Sequence, residues 1–246
     1  MSYYQFLEKE PGHIRITSPK PVFMDLFIGS ERALLLDTGY GEGPLAQEVK
    51  ERISVPLVIV NTHAHWDHAC GNRQFAEPVY LNEKELPLYD RVEPEHGPVL
   101  PLTEGMVFDL VGLTLRAIDC PGHTAGSTVL FWEEEKLLFT GDAMNPTFWL
   151  FLPECLQLSD YQQTLRKAMK IPMKAFYISH RENRFLPEAL ERFLYCAEHL
   201  DFENGEPFHG DYGVKDVRYC APWGKTHEEM EAEGLPYIVI SKEHLG

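Results

Sequence analysis

Residues 62–68 read Thr62-His63-Ala64-His65-Trp66-Asp67-His68. Three imidazoles and a carboxylate fall within a few positions of a 246-residue chain that has 11 histidines in all. Neutral imidazole and carboxylate are the ligands that suit zinc, iron or manganese. The spacing adds geometry. On an extended segment His63 and His65 point the same way and can grip one ion, because alternate strand side chains share a face. If the chain then turns into a helix, Asp67 and His68 are carried towards a neighbouring ion. One continuous helix would splay positions i and i+2 apart. The stretch therefore predicts a strand-to-helix corner. The plain alternative is a solvated, histidine-rich loop, and the rest of the chain weighs against it.

Working outward, short β-branched and aromatic runs bounded by turn residues predict strands at Val22–Ile28, Arg32–Leu36, Leu57–Asn61, Val79–Leu81, Leu113–Ile118, Thr128–Trp132, Leu137–Thr140, Ala175–Ser179 and Tyr237–Ile240. Runs such as Ala33-Leu34-Leu35-Leu36 are nearly all apolar, which suits strands covered on both faces. Helices are expected from Pro44 to Arg52, after Ser159 (a capping box with Gln162), and along Leu186, Leu190, Phe193, Leu194 and Ala197 with Pro187 in the first turn. Strands in early and late groups with helices between them imply an α/β fold of two sheets sandwiched by helices. No linker or repeat divides residues 1–246, so one domain is expected.

Several strands run into a polar residue: Leu36 into Asp37, Asn61-Thr62 into His63, Gly141 into Asp142, and Ser179 into His180. Strand ends are where α/β folds gather their chemistry. His123 lies in the glycine-flanked turn Pro121-Gly122-His123-Thr124-Ala125-Gly126-Ser127, where Thr124 or Ser127 is expected to orient the imidazole.

Taken together, these residues resemble the metallo-β-lactamase fold superfamily of hydrolases. Its five motifs occur in order: Asp37 in Leu36-Asp37-Thr38-Gly39, the H-x-H-x-D-H run from His63 to His68, then His123, Asp142 and His180. The resemblance implies an αββα sandwich of two mixed sheets flanked by helices. It implies a first metal held by His63, His65 and His123, and a second held by Asp67, His68 and His180. Asp142 would bridge them, and Asp37 would support the site without ligating. Two divalent ions about 4 Å apart would share a water or hydroxide, lower its pKa towards about 7 and polarise the substrate. Asp67 and Asp142 would thus be the catalytic carboxylates. Glutamate stands in place of His65 in the related diiron flavoproteins, so the all-nitrogen first set points to zinc, with iron and manganese as alternatives.

The superfamily acts on lactones, thioesters, β-lactams, phosphodiesters and sulfate esters, and some members oxidise persulfides. The expected reaction here is hydrolysis of a small carbonyl ester, lactone or thioester. A mononuclear iron oxygenase of the persulfide-dioxygenase type is one alternative, and a phosphodiester or β-lactam hydrolase another. A serine hydrolase is disfavoured, because no G-x-S-x-G elbow surrounds Ser127 or Ser179. Cys70 is a conceivable ligand or nucleophile, with the hard ligands already sufficient. Phe148, Trp149, Phe151 and Leu152 could form an apolar lip over the metals or simply pack in the core. Arg181, where relatives often have glycine, could hold a substrate carboxylate or make a surface salt bridge.

A formal net charge of −16 repels phosphate backbones and anionic lipid, so nucleic acid and membranes are poor partners and a small molecule is the expected substrate. Five scattered cysteines without a C-x-x-C pair argue against a disulfide framework. No stretch has the apolar core of a signal peptide or the length of a membrane span, which leads to an expected cytoplasmic location. The segment 201–246 could fold over the site, pair in a homodimer or cover the core, and its His209 and His227 are expected to be solvated rather than metal-bound.

Overall fold

The computed structural model describes residues 3–246. The first sheet holds seven strands in chain order: β1 (Gln5–Glu8), β2 (His13–Thr17), β3 (Phe23–Ile28), β4 (Ala33–Leu36), β5 (Leu57–Val60), β6 (Val79–Leu81) and β7 (Val99–Pro101). It is antiparallel up to β4 and parallel beyond it. The second sheet holds β8 (Val107–Asp109), β9 (Thr114–Asp119), β10 (Thr128–Trp132), β11 (Leu137–Phe139) and β13 (Ala175–Tyr177).

The period-2 rule explains how these sheets stack. Leu34 and Leu36 of β4 face Leu130, Trp132, Leu137 and Phe139 in one core between the sheets. Ala33 and Leu35 point the other way, onto Leu45 and Val49 of α1 (Leu45–Lys50). Val129, Phe131 and Leu138 likewise leave the second sheet outward. They meet α4 (Leu158–Ala168) and α5 (Ala189–His199). Each such side chain contributes about 1.5–3 kcal/mol when fully buried. The result is the αββα sandwich.

A third sheet completes the second core. It consists of β12 (Thr147–Leu150), β14 (Glu206–Pro207), β15 (Val217–Cys220) and β16 (Tyr237–Ser241), in the order β12-β16-β15-β14. The segment after residue 200 therefore forms a sheet with the strand that follows Asp142. Its helix α6 (His227–Glu233) starts at a Thr226–Glu229 capping box.

Several expectations need correction. The capping box of α4 is Gln157 with Asp160, not Ser159 with Gln162, so that helix starts earlier. Leu186 is 63% exposed and lies before α5, outside the apolar stripe. Among strands, β1, β2, β7, β8, β12, β14 and β15 were not foreseen. Most are short or mix polar with apolar residues, so that their pairing rests on neighbours. No described helix is long and apolar enough to cross a membrane.

Candidate metal centre

The run from Thr62 to His68 leaves β5, stays extended at His65 (φ −64°, ψ 154°) and turns into α2 (Trp66–Ala69). This is the corner that the spacing demands. His63 Nε2 lies 3.0 Å from His65 Nδ1, which lies 2.9 Å from His123 Nε2. Asp142 Oδ2 is 3.1 Å from His180 Nε2 and 3.7 Å from both His68 Nε2 and His123 Nε2. Asp67 Oδ2 is 3.6 Å from His68 Nε2 and 3.5 Å from His180 Nε2. Among the described residues, the groups able to hold an ion are His63–His65–His123, His63–His68–Asp142 and Asp67–His68–His180. All seven residues expected at the site thus converge on one place.

The outer nitrogen of each imidazole explains why the inner one is free to ligate. His123 Nδ1 donates to the Trp149 carbonyl at 3.0 Å and His180 Nδ1 to the Pro21 carbonyl at 2.8 Å. His65 Nε2 donates to Glu154 at 2.9 Å and His68 Nδ1 to Asp37 Oδ2 at 2.8 Å. His63 Nδ1 donates to Thr62 Oγ1, whose own proton goes to Asp37 Oδ2 at 2.8 Å. An acceptor at one nitrogen leaves a neutral ring's lone pair on the other, so three lone pairs meet within the first cluster. Lone pairs at 2.9–3.0 Å repel unless a cation lies among them. His68 Nε2 and Asp142 Oδ1 are buried with no hydrogen-bond partner. This donor set fits metal ions.

Electrostatics separate the two clusters. Burial, together with neighbouring imidazoles, holds His63 well below its usual pKa and His123 at about 4. Burial also opposes charge on His68 and His180, yet carboxylates outweigh it. Asp67, Asp37 and Asp142 raise His68, and Asp142 raises His180 to about 9. Asp142 is held well below the carboxylate range, because His180 and His68 overcome the cost of burying it.

The backbone locks this arrangement. Asp37 sits at φ 60°, a left-handed conformation that a short polar side chain tolerates and that a functional site repays. Gly141 has φ 54°, and a Cβ there would meet Thr62 Oγ1 at 2.5 Å, so only glycine lets the Asp142 loop close on Thr62.

Two acidic residues escaped the sequence reading. Buried Glu85 accepts from the amides of Ala64 at 2.9 Å and Gly126 at 2.7 Å, tying the histidine corner to the His123 loop. Glu154 holds His65 and pairs with Arg91 at 2.8 Å. His65 outweighs burial and lowers the Glu154 carboxyl to about 2. No local pattern marks either residue.

The other expected residues are sorted by the cavity of about 410 Å³ that opens over the centre. Trp149 and Arg181 line it. Phe148 does not. It is 1% exposed and stacks on Tyr161 at 3.5 Å, because neighbours on a strand face opposite ways. Thr124 and Ser127 bond each other at 2.7 Å and close their own turn, while the Trp149 carbonyl orients His123. Cys70 belongs to none of the candidate groups, and burial raises its thiol pKa. His227 stacks on Tyr219 at 4.2 Å, and His209 is exposed.

This fold is an αββα sandwich whose edge gathers side chains able to hold metal ions. The sequence profile of the metallo-beta-lactamase superfamily matches residues 21–180, and the chain belongs to that superfamily. Among curated relatives, the lactamase-like protein nscB of Trichophyton rubrum is 28% identical over 76% of this chain and 60% of its own length. An atrochrysone carboxyl ACP thioesterase of Aspergillus fumigatus is 30% identical over 69% of this chain and 53% of its own. The chain thus spans roughly half the length of such relatives. A metallo-beta-lactamase from Pontibacter korlensis shares the fold, with a TM-score of 0.66 at 22% identity, over 79% of this chain and 99% of that one. A family member from Thermus thermophilus has a TM-score of 0.59 at 21% identity, over 75% and 79% of the respective chains.

Proposed function

We propose that the chain is a binuclear, zinc-dependent hydrolase of a small carbonyl ester, lactone or thioester. One observation carries this reading: Asp142 Oδ2 stands between the histidine-only cluster and the Asp67–His68–His180 cluster, within 3.7 Å of donors on both sides. A single carboxylate so placed can serve two ions, with His63, His65 and His123 holding one and Asp67, His68 and His180 the other. The imidazole-only first set suits zinc. Bound there, two divalent ions would lower the pKa of water and polarise a carbonyl oxygen.

The remaining work falls to the chain. Hydrolysis adds a water oxygen to the carbonyl carbon and breaks its bond to the leaving oxygen or sulfur, which departs with a proton. Asp67 lines the cavity beside Asp142, placed to accept and relay that proton. Glu154 and Asp37 keep the ligating nitrogens aimed while the reaction runs. The thioesterase named among the relatives supports thioesters in the substrate range. A net charge of −16 speaks for a small molecule over nucleic acid or a membrane surface.

Elemental analysis of the purified protein should find about two zinc ions per chain. A panel of thioesters, lactones and β-lactams should be cleaved by the wild type and not by Asp67→Ala. One iron per chain with oxygen consumption would overturn the hydrolase, and full turnover by a folded Asp67→Ala protein would overturn the two-metal reading.

A further inference from the structure

Between the two large sheets lies a charged side chain that the metal centre does not use. Strand β2 alternates: Ile14 and Ile16 pack on the α1 side, while His13 and Arg15 point into the space between the sheets. Arg15 stands opposite Asp25 in the β2–β3 register, and its Nε lies 3.4 Å from Asp25 Oδ1. Its guanidinium is sandwiched between the rings of Phe23 and Tyr177, each 4.6 Å away, and the residue is fully buried. Burying a guanidinium is costly, and a well-packed apolar side chain of similar volume often does as well or better. What an apolar side chain cannot do is donate a hydrogen bond.

Among the described residues, the guanidinium makes one hydrogen bond, from Nη2 to the Ile178 carbonyl at 2.8 Å. Ile178 is the first residue past β13, where the chain leaves the second sheet towards His180. From there the segment is held from the first sheet's side. The Phe23 amide donates to the Ser179 carbonyl at 2.7 Å, and His180 Nδ1 donates to the Pro21 carbonyl at 2.8 Å. Of these three bonds, the one from Arg15 is made by a side chain that ligates nothing. It can therefore be removed without touching the backbone or a metal ligand.

We infer that Arg15 is a positioning residue for the second metal ion: by holding the Ile178 carbonyl, it fixes the direction in which the chain carries His180 into the centre. The inference rests on the binuclear reading above. The ligands of the first ion are held elsewhere. His63 is fixed by Thr62, His65 by Glu154 and His123 by the Trp149 carbonyl, so that ion should be indifferent to Arg15. The buried charge thus links the docking of one sheet on the other to the completeness of the second ligand set.

The test is a stepwise zinc titration of the metal-free full chain against a chromophoric chelator, which reads affinity without turnover. Arg15→Met keeps an apolar stem and loses the donor. It should weaken one of two binding steps about tenfold, as expected for an outer partner, and leave the other within about twofold. His180→Ala identifies the step, because it removes a ligand of the second set alone. Adding Arg15→Met to His180→Ala should then change the remaining affinity by less than about twofold. His13→Gln disturbs the same buried charges through Asp25 and Glu10, and should leave both steps within about twofold. Arg15→Lys keeps the charge with a shorter reach and should weaken the second step about threefold, which decides the matter where Arg15→Met fails to fold. Two steps that the Arg15 variants leave unchanged, or weaken alike, overturn the inference and leave the binuclear reading standing. A single step in the wild type overturns the binuclear reading, and the inference with it.

Discussion

The base of the cavity and its aromatic wall differ in how their side chains are held. At the base, all five imidazoles are pinned through the outer nitrogen, three of them by an acid or a hydroxyl and two by a carbonyl. His63, His65, His68 and His123 are buried. On the wall, the rings of Trp149 and Tyr212 are held by packing against each other and against Phe151. Metal chemistry requires fixed donor positions, and each ligand is therefore held at two points. Recognition tolerates small shifts, and aromatic packing suffices for it.

The largest effect should come from the base. Asp142→Ala removes the carboxylate shared by both clusters. It should cut activity by more than about a hundredfold, beyond the usual loss for an outer partner, and lower the metal count measured by elemental analysis. Unchanged metal content would break the distinction between base and wall. Glu154→Ala leaves every ligand in place and removes the brace on His65 together with the pair to Arg91. Metal affinity should fall about ten- to a hundredfold in a chelator competition, with the fold intact by circular dichroism.

Behind the base, His13 is buried between Asp25 at 2.7 Å and Glu10 at 2.8 Å, next to buried Arg15. Arg15 donates to the Ile178 carbonyl at 2.8 Å, just ahead of His180. Burial opposes charge on His13, but the hydrogen bonds to both carboxylates win and raise its pKa above 6.5. A raised folded-state pKa means that its stabilisation is full below pH 6.5 and is lost as pH climbs through the folded value. The Tm advantage of wild type over His13→Gln should therefore be full below pH 6.5 and shrink as the pH rises above it. A constant gap would show that His13 packs without carrying charge. The smallest effect belongs to the rim. Arg181→Ala breaks an exposed pair and should change stability by less than about 1 kcal/mol in urea unfolding.

The same contrast governs what could be read from the sequence. The ligands were legible because metal chemistry admits few residue types and four of them lie between His63 and His68. The central strands were legible because burial on both faces demands unbroken apolar runs such as Ala33–Leu36. Glu154 was not, since its partner His65 lies 89 residues away and nothing local distinguishes it from a surface acid. Nor was the third sheet, because β12 pairs with a strand some ninety residues later and reads in isolation as an apolar lip. Trp149 lines the cavity and its neighbour Phe148 does not, a split that an apolar run gives no local sign of until its strand pairing fixes which face each side chain takes.

The pairing of β12 with β16 has one more consequence. Its register sets Phe148 opposite Ile238 and Trp149 opposite Val239, and the strand begins shortly after Asp142. A slip of one residue would turn Trp149 inward and send Phe148 and Leu150 to the opening. The metal centre and the cavity wall therefore meet at a single parallel ladder. Insertions or deletions there would change what is admitted and would also move the Trp149 carbonyl that holds His123, so only substitutions that keep the register can alter the wall alone.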